Sequence, residues 1–166
     1  QLIDMKILIA LISLAISKPA FSQEKNKLEA FKNLTGDSWV SEGTQLGGFD
    51  GKTIHEMEWG LNGQIVKIKT YTTDPKTKEF GLRNEGIRAY NSQSGELEFY
   101  EFHKLGGITS GTITVEANNI HFEYTYEGLN LRDSWIYQSD NEYKFIVGVW
   151  ADGAWKKKFH VTTFYR

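Results

Sequence analysis

From Trp39 onward, apolar and polar residues alternate with a period of two, the spacing that sends successive side chains to opposite faces of a strand. The clearest stretch is 120–127. Ile120, Phe122, Tyr124 and Tyr126 share one face, and His121, Glu123, Thr125 and Glu127 share the other. Val66 and Ile68 oppose Lys67 and Lys69 in the same way. Along 143–150, Tyr143, Phe145, Val147 and Val149 alternate with Lys144, Ile146, Gly148 and Trp150, which reads as a strand apolar on both sides. Turn residues punctuate these runs. Asn62-Gly63, between 53–61 and 64–73, is the strongest hairpin signal, because both positions tolerate positive φ. Asp74-Pro75, the run from Asn91 to Gly95, Gly106-Gly107, Asn118-Asn119, Gly128-Leu129-Asn130, Ser139-Asp140-Asn141 and Ala151-Asp152-Gly153 mark the others. With 38–42 as the first, the pattern predicts about ten strands at the spacing of an all-β sandwich or barrel.

One short helix precedes them, over 24–34. Leu28, Phe31 and Leu34 recur on one face and Gly36 follows as a stop. Such a helix is too short to stand alone and must lean on the sheet. The short connections favour antiparallel pairing of consecutive strands, and closure removes the exposed edges of so long a meander. The expected fold is therefore all-β: an antiparallel up-and-down barrel of about ten strands with a short N-terminal helix. A barrel of that size is wider than the roughly eight-stranded kind whose side chains just fill the interior. The expected pocket residues are Met57, Trp59, Tyr90, Phe99, Phe122, Tyr124, Tyr126 and Trp135, with a filled aromatic core as the alternative.

The start of the chain follows a different pattern. Met5-Lys6 is a short positive start, Ile7 to Ile16 is apolar apart from Ser13, and Ala20-Phe21-Ser22 is a small-x-small site. That order is a secretory signal peptide, and its apolar run is shorter than the roughly 20 residues that span a bilayer. Residues 1–22 are thus expected to be upstream residues plus signal, and 23–166 one exported domain with no stable membrane anchor after cleavage. Periplasmic or secreted localisation follows. The chain has no cysteine, so an oxidising compartment gives it no disulfide, and no thiol is available for lipid attachment or nucleophilic catalysis. Net charge is −2, and removal of Asp4, Lys6 and Lys18 with the signal makes it −3, which leaves no long-range attraction for nucleic acid.

Two ends of the exported chain carry a resemblance. A short helix, then Leu34-Thr35-Gly36-Asp37-Ser38-Trp39, and a last strand ending Phe164-Tyr165-Arg166, resemble the calycin pattern of exported bacterial lipocalin-like barrels. The tryptophan falls one residue later than that family's usual Gly-x-Trp. The resemblance implies a structural floor in which Arg166 lies over Trp39, a favourable cation–π pair. More distantly, Lys158-Phe159-His160-Val161-Thr162 and Glu85-Gly86-Ile87-Arg88 resemble nitrobindin, a ten-stranded haem barrel whose last strand carries the iron-ligating histidine. That resemblance implies haem on His160. Nitrobindin's glycine-rich first-strand motif is absent, and alternation with Lys156 and Lys158 predicts a solvent-facing His160.

The residues themselves indicate no cofactor. His55, His103 and His121 stand on separate strands without zinc-site spacing. Glu56 and Glu58 share a solvated face, whereas Glu85 and Asp133 lie in apolar stretches and are expected to be buried beside Arg88 or Arg132. No Gly-x-Ser-x-Gly elbow is present, and Gly106-Gly107-Ile108-Thr109-Ser110-Gly111 lacks the lysine and helix of a phosphate loop. Catalytic residues are therefore not expected. The expected function is an extracytoplasmic binding protein holding a small apolar or amphipathic ligand, with a haem barrel or a packed protein-interaction barrel as alternatives. Cleavage after Ser22 should give an exported protein whose intact mass matches a chain starting at Gln23; uncleaved protein recovered from the cytoplasm would contradict export.

Overall fold

The computed structural model describes residues 27–43, 51–74 and 76–166. The signal segment, the first residues of the expected helix and Pro75 lie outside that set. Ten strands follow one another: β1 (Ser38–Glu42), β2 (Lys52–Gly60), β3 (Ile65–Thr73), β4 (Phe80–Asn91), β5 (Glu96–His103), β6 (Ile108–Glu116), β7 (Asn119–Tyr126), β8 (Leu129–Ser139), β9 (Glu142–Ala151) and β10 (Ala154–Tyr165). Each pairs antiparallel with its sequence neighbours, and β1 pairs with β10 to close an up-and-down barrel. The Asn62-Gly63 turn works as its sequence demands. Leu61, Asn62 and Gly63 all take positive φ, of 47°, 54° and 86°, between β2 and β3.

The N-terminal helix is not α-helical along its length. A helical turn at Lys27 and Leu28 runs into a 3₁₀ helix, Glu29–Leu34. Leu28, Phe31 and Leu34 are spaced by three, which is the period of a 3₁₀ helix, so tightening the helix keeps all three on one face. That face is fully buried, with Phe31 edge-on to Phe122 at 6.3 Å between ring centroids. The segment closes one end of the barrel.

Trp39 anchors this closed end. It has no exposed surface, and its indole Nε1 donates to the Leu34 carbonyl at 3.1 Å. Tyr143 and Trp135 meet the ring edge-on, at 5.1 and 6.4 Å. The Arg166 guanidinium carbon stands 5.3 Å from the centre of the Trp39 ring. Arg166 also donates through Nη1 to Asp37 Oδ2 (3.2 Å) and the Asn33 carbonyl (3.3 Å), and through Nε to Asn141 Oδ1 (3.2 Å). One arginine thereby ties the chain end to the N-terminal turn and to the β8–β9 connection.

Inward positions are apolar near this floor: Met57, Val66, Leu97, Ile113 and Ile120 complete a packed core there. Farther up, two inward positions are glycine. A Cβ on Gly111 would lie 2.0 Å from the Glu123 carbonyl oxygen, and one on Gly86 would lie 2.4 Å from that of Tyr100. Only glycine admits so close a strand-to-strand approach, which lets β4 and β6 coil tightly as the barrel closes.

Trp39→Ala should cost about 3 kcal/mol or more, as large aromatic truncations in packed cores do. Arg166→Ala should cost about 1–2 kcal/mol through lost cation–π contact and stem packing. Urea unfolding checks both, and an unchanged midpoint for Trp39→Ala would remove the floor's structural role.

Candidate functional site

The half of the barrel away from the floor is hollow. It encloses a cavity of about 980 Å³. Two aromatic walls face it. On one side Trp135 (β8), Phe145 (β9) and Phe164 (β10) cluster, with Trp135 stacked on Phe164 at 5.0 Å and 5.4 Å from Phe145. The other wall joins Phe99 (β5) to Phe122 and Tyr124 (β7), at 5.3 and 5.9 Å. The reason is the period of two: Phe122 and Tyr124 are successive inward residues of β7, and Phe99 stands on the inward face of β5.

Polar groups are set between these walls. Arg88, 3 % exposed, donates through Nη2 to Glu101 Oε1, while Asn84 Nδ2 donates to Glu101 Oε2 at 2.6 Å. The other Arg88 nitrogens, Nε and Nη1, are buried without a hydrogen-bond partner. Its guanidinium carbon lies 5.0 Å from the Phe122 ring centre and 5.7 Å from that of Phe99, so the rings take up part of the charge. Burial works against an ionised Glu101, but the charge and hydrogen bond of Arg88 outweigh it and hold the carboxyl below its ordinary pKa.

Asp133 has no such partner. Tyr124 Oη donates to its Oδ1 at 3.0 Å, and among the described residues no other hydrogen bond reaches it. Burial, assisted by the negative charge of Glu101, raises its pKa from 3.8 to about 7, against the opposing Tyr124 hydrogen bond and Arg88 charge. The same burial, together with Asp133, pushes the Tyr124 phenol upward. His55 meets Thr70 Oγ1 through Nδ1 at 3.0 Å and stands edge-on to Phe164 at 4.8 Å. Burial lowers its pKa from 6.5 to about 4, so it is neutral at physiological pH. His103 is fixed by Thr109, with Nε2 and Oγ1 2.8 Å apart.

His160 also faces the cavity, contrary to the outward position expected from its alternation with Lys156 and Lys158. The cause is a register shift. Lys158 pairs with Gly148, but His160 pairs with Val147, so Phe159 is an extra residue in the ladder and resets the alternation. Burial, with Arg83 nearby, lowers the His160 pKa. Thus His55, His103 and His160, from three separate strands, line one cavity. His121 points the other way, to Ser134 Oγ (2.8 Å) on the opposite strand face. Among the described residues no three histidine or carboxylate side chains are placed to hold a metal ion.

Of the aromatic residues expected in the pocket, Phe99, Phe122, Tyr124, Tyr126 and Trp135 line it. Met57 is instead buried in the packed floor, Trp59 is 38 % exposed near that same end, and Tyr90 holds the Lys27 ammonium 4.2 Å above its ring. Alternation identifies the inward face of a strand but not the height along the barrel axis, and these three sit too low. Glu85 is solvent-facing, 3.9 Å from Lys69 rather than buried beside Arg88. Arg132 pairs with Glu123 on the outer face, and lies over Trp150 at 4.0 Å. Glu56 and Glu58 are solvated, as their shared face implied, with Glu58 2.9 Å from Lys67. Sequence reasoning missed Arg88–Glu101–Asn84, Phe145 and Phe164 as one site. Their inward parity was available, but the pairing of β4 with β5 that joins Arg88 to Glu101 was not.

No protein-family model matches the chain, and no curated protein matches it.

Asp133 and His55, which titrate in the acid to neutral range, oppose each other in their effect on stability. The folded-state pKa of Asp133 is raised, so its contribution is full below about pH 4 and is lost as pH rises toward about 7. The folded-state pKa of His55 is depressed, so its contribution is present above pH 6.5 and is lost as pH falls toward about 4. Asp133→Asn should remove only the first effect. Its stability relative to the natural protein should rise by about 1.4 kcal/mol per pH unit between pH 4 and 7, roughly 4 kcal/mol in all. Urea unfolding of both proteins across that range checks this; a pH-independent difference would mean that Asp133 titrates normally.

Proposed function

We propose that this chain is an exported barrel that binds a small amphipathic molecule in the hollow half of its interior. The observation that carries the reading is the cavity of about 980 Å³, with aromatic side chains on two walls and hydrogen-bonding groups set between them. A concave space that combines aromatic walls with convergent polar side chains is the composition expected of a site for an amphipathic small molecule. The polar side chains are also more than the fold needs: a barrel interior without a ligand is stabilised most by apolar packing, as at the floor. The export half of the reading rests on the segment from Met5 to Ser22.

Haem is a second reading, favoured by one observation, the inward turn of His160 at a cavity wall beside Phe145, 6.1 Å between ring centres. A neutral imidazole there is a suitable axial ligand for haem iron. Adding haemin tests it, since a Soret band that forms with the natural protein and is lost in His160→Ala would replace the first reading with this one.

Neutral N-phenyl-1-naphthylamine should bind with micromolar affinity, about −8 kcal/mol, and change the emission of Trp135. Val147 lines the cavity, so Val147→Trp should fill part of it and weaken binding by about tenfold or more. Trp59→Ala, below the cavity, should leave probe binding as it was. Absence of saturable binding would overturn the reading.

A further inference from the structure

Among the described residues two carboxyls face the cavity, and their situations differ. Both oxygens of Glu101 are engaged, Oε1 by Arg88 and Oε2 by Asn84. Arg88 is committed to that pair through Nη2, and its two unpartnered nitrogens are buried. Asp133 accepts only the Tyr124 hydroxyl, on Oδ1, which leaves Oδ2 open to the cavity. No cation is dedicated to it. Arg88, from β4, is neutralised by Glu101 on β5; His55 on β2 and His160 on β10 are disfavoured by burial from carrying charge. His103 on β5 is fixed to Thr109, and Arg83 on β4 is exposed at the mouth. Among the described residues the cavity thus holds one balanced ion pair and one acid without a counter-ion.

The placement of Asp133 gives that acid a direction. Asp133 and Trp135 are successive inward residues of β8, and across the ladder they pair with Val147 and Phe145 of β9. A carboxyl with an open oxygen therefore stands one step along the barrel axis from an aromatic cage formed by Trp135, Phe145 and Phe164. A cation entering here pairs with a charge that is otherwise buried uncompensated, and the ring faces favour it further. An anion would meet Asp133 and find the two unpartnered Arg88 nitrogens covered by the protein.

We propose, on the ligand-binding reading above, that the cavity takes a protonated amine, its ammonium group against Asp133 Oδ2 and Tyr124 Oη and its apolar body between Trp135, Phe145 and Phe164. Binding requires Asp133 ionised, so below neutrality each amine bound releases a proton from it and affinity falls with pH. Acid protonation of His55 and His160 acts in the same direction, by repulsion.

The test uses two series that hold the body constant and change the charge: tryptamine, 3-ethylindole and indole-3-propionate, and octylamine, octanol and octanoate. Each is measured on the full exported domain by displacement of N-phenyl-1-naphthylamine. At pH 8 the amine of at least one series should bind about tenfold or more tighter than its neutral and anionic counterparts. That advantage should shrink between pH 8 and 5, and Asp133→Asn should abolish it at pH 8. Equal or tighter binding of the neutral or anionic member in both series overturns the proposal, as does an amine preference that survives in Asp133→Asn. If N-phenyl-1-naphthylamine binds but no member of either series displaces it, the amine proposal falls and the binding reading stands. If neither the naphthylamine nor any member binds, both fall.

Discussion

The seam between β1 and β10 decides whether the sheet is a barrel or an open meander, and it is the shortest ladder in the molecule, registered through Val40 and Tyr165. So few main-chain pairs cannot hold two strands alone, and side chains make up the difference. Ser41 and Thr162 share a buried hydroxyl contact, and both hydroxyls lie within hydrogen-bond distance of the Gly43 carbonyl, at 3.3 and 2.9 Å, so that one donates to the carbonyl and the other to its neighbour. Below them, Trp39 on β1 is held by the N-terminal turn, by Tyr143 on β9 and by Arg166 after β10. Phe164, one ring of the cavity wall, sits on the strand that this seam fixes.

The two ends of the barrel follow opposite rules. Near the floor, inward positions are aliphatic or aromatic and fill the space, which gains burial and dispersion energy without polar cost. In the hollow half, the described residues place two arginines, two carboxyls, three histidines and several hydroxyls around the same cavity. Arg88 and Glu101 satisfy each other, so their burial is largely offset. Asp133 is offset by one phenol only, and its raised pKa is the direct result. These polar side chains face the open space of the hollow half, where apolar packing would have cost less.

The sequence carried the architecture well because each strand is a local pattern bounded by a local turn. Strand number, antiparallel order and closure all follow from alternation, turn residues and short connections. The short helix became 3₁₀, and the spacing of Leu28, Phe31 and Leu34 already contained that outcome. The site was less legible. Phe99, Phe122, Tyr124 and Trp135 could be named from inward parity alone, but Met57 and Trp59 share that parity and lie too near the floor. Height in a barrel depends on strand tilt and stagger, which no single strand encodes. The pairing of Arg88 with Glu101 rather than Glu85 depends on the β4–β5 ladder, where Gly86 faces Glu101.

β10 contains two residues more than the ladder of β9 uses, one between Trp155 and Lys157 and one between Lys158 and His160. The faces of this strand are therefore set by two different origins of counting. From the floor upward, Phe164, Thr162 and His160 run inward in unbroken phase; from the mouth downward, the lysines keep a phase of their own. Losing either surplus residue would straighten the strand yet leave each remaining side chain on the face it now occupies. Insertions or deletions at these two points can thus alter the basic rim of the barrel while the chemistry inside it stays in register.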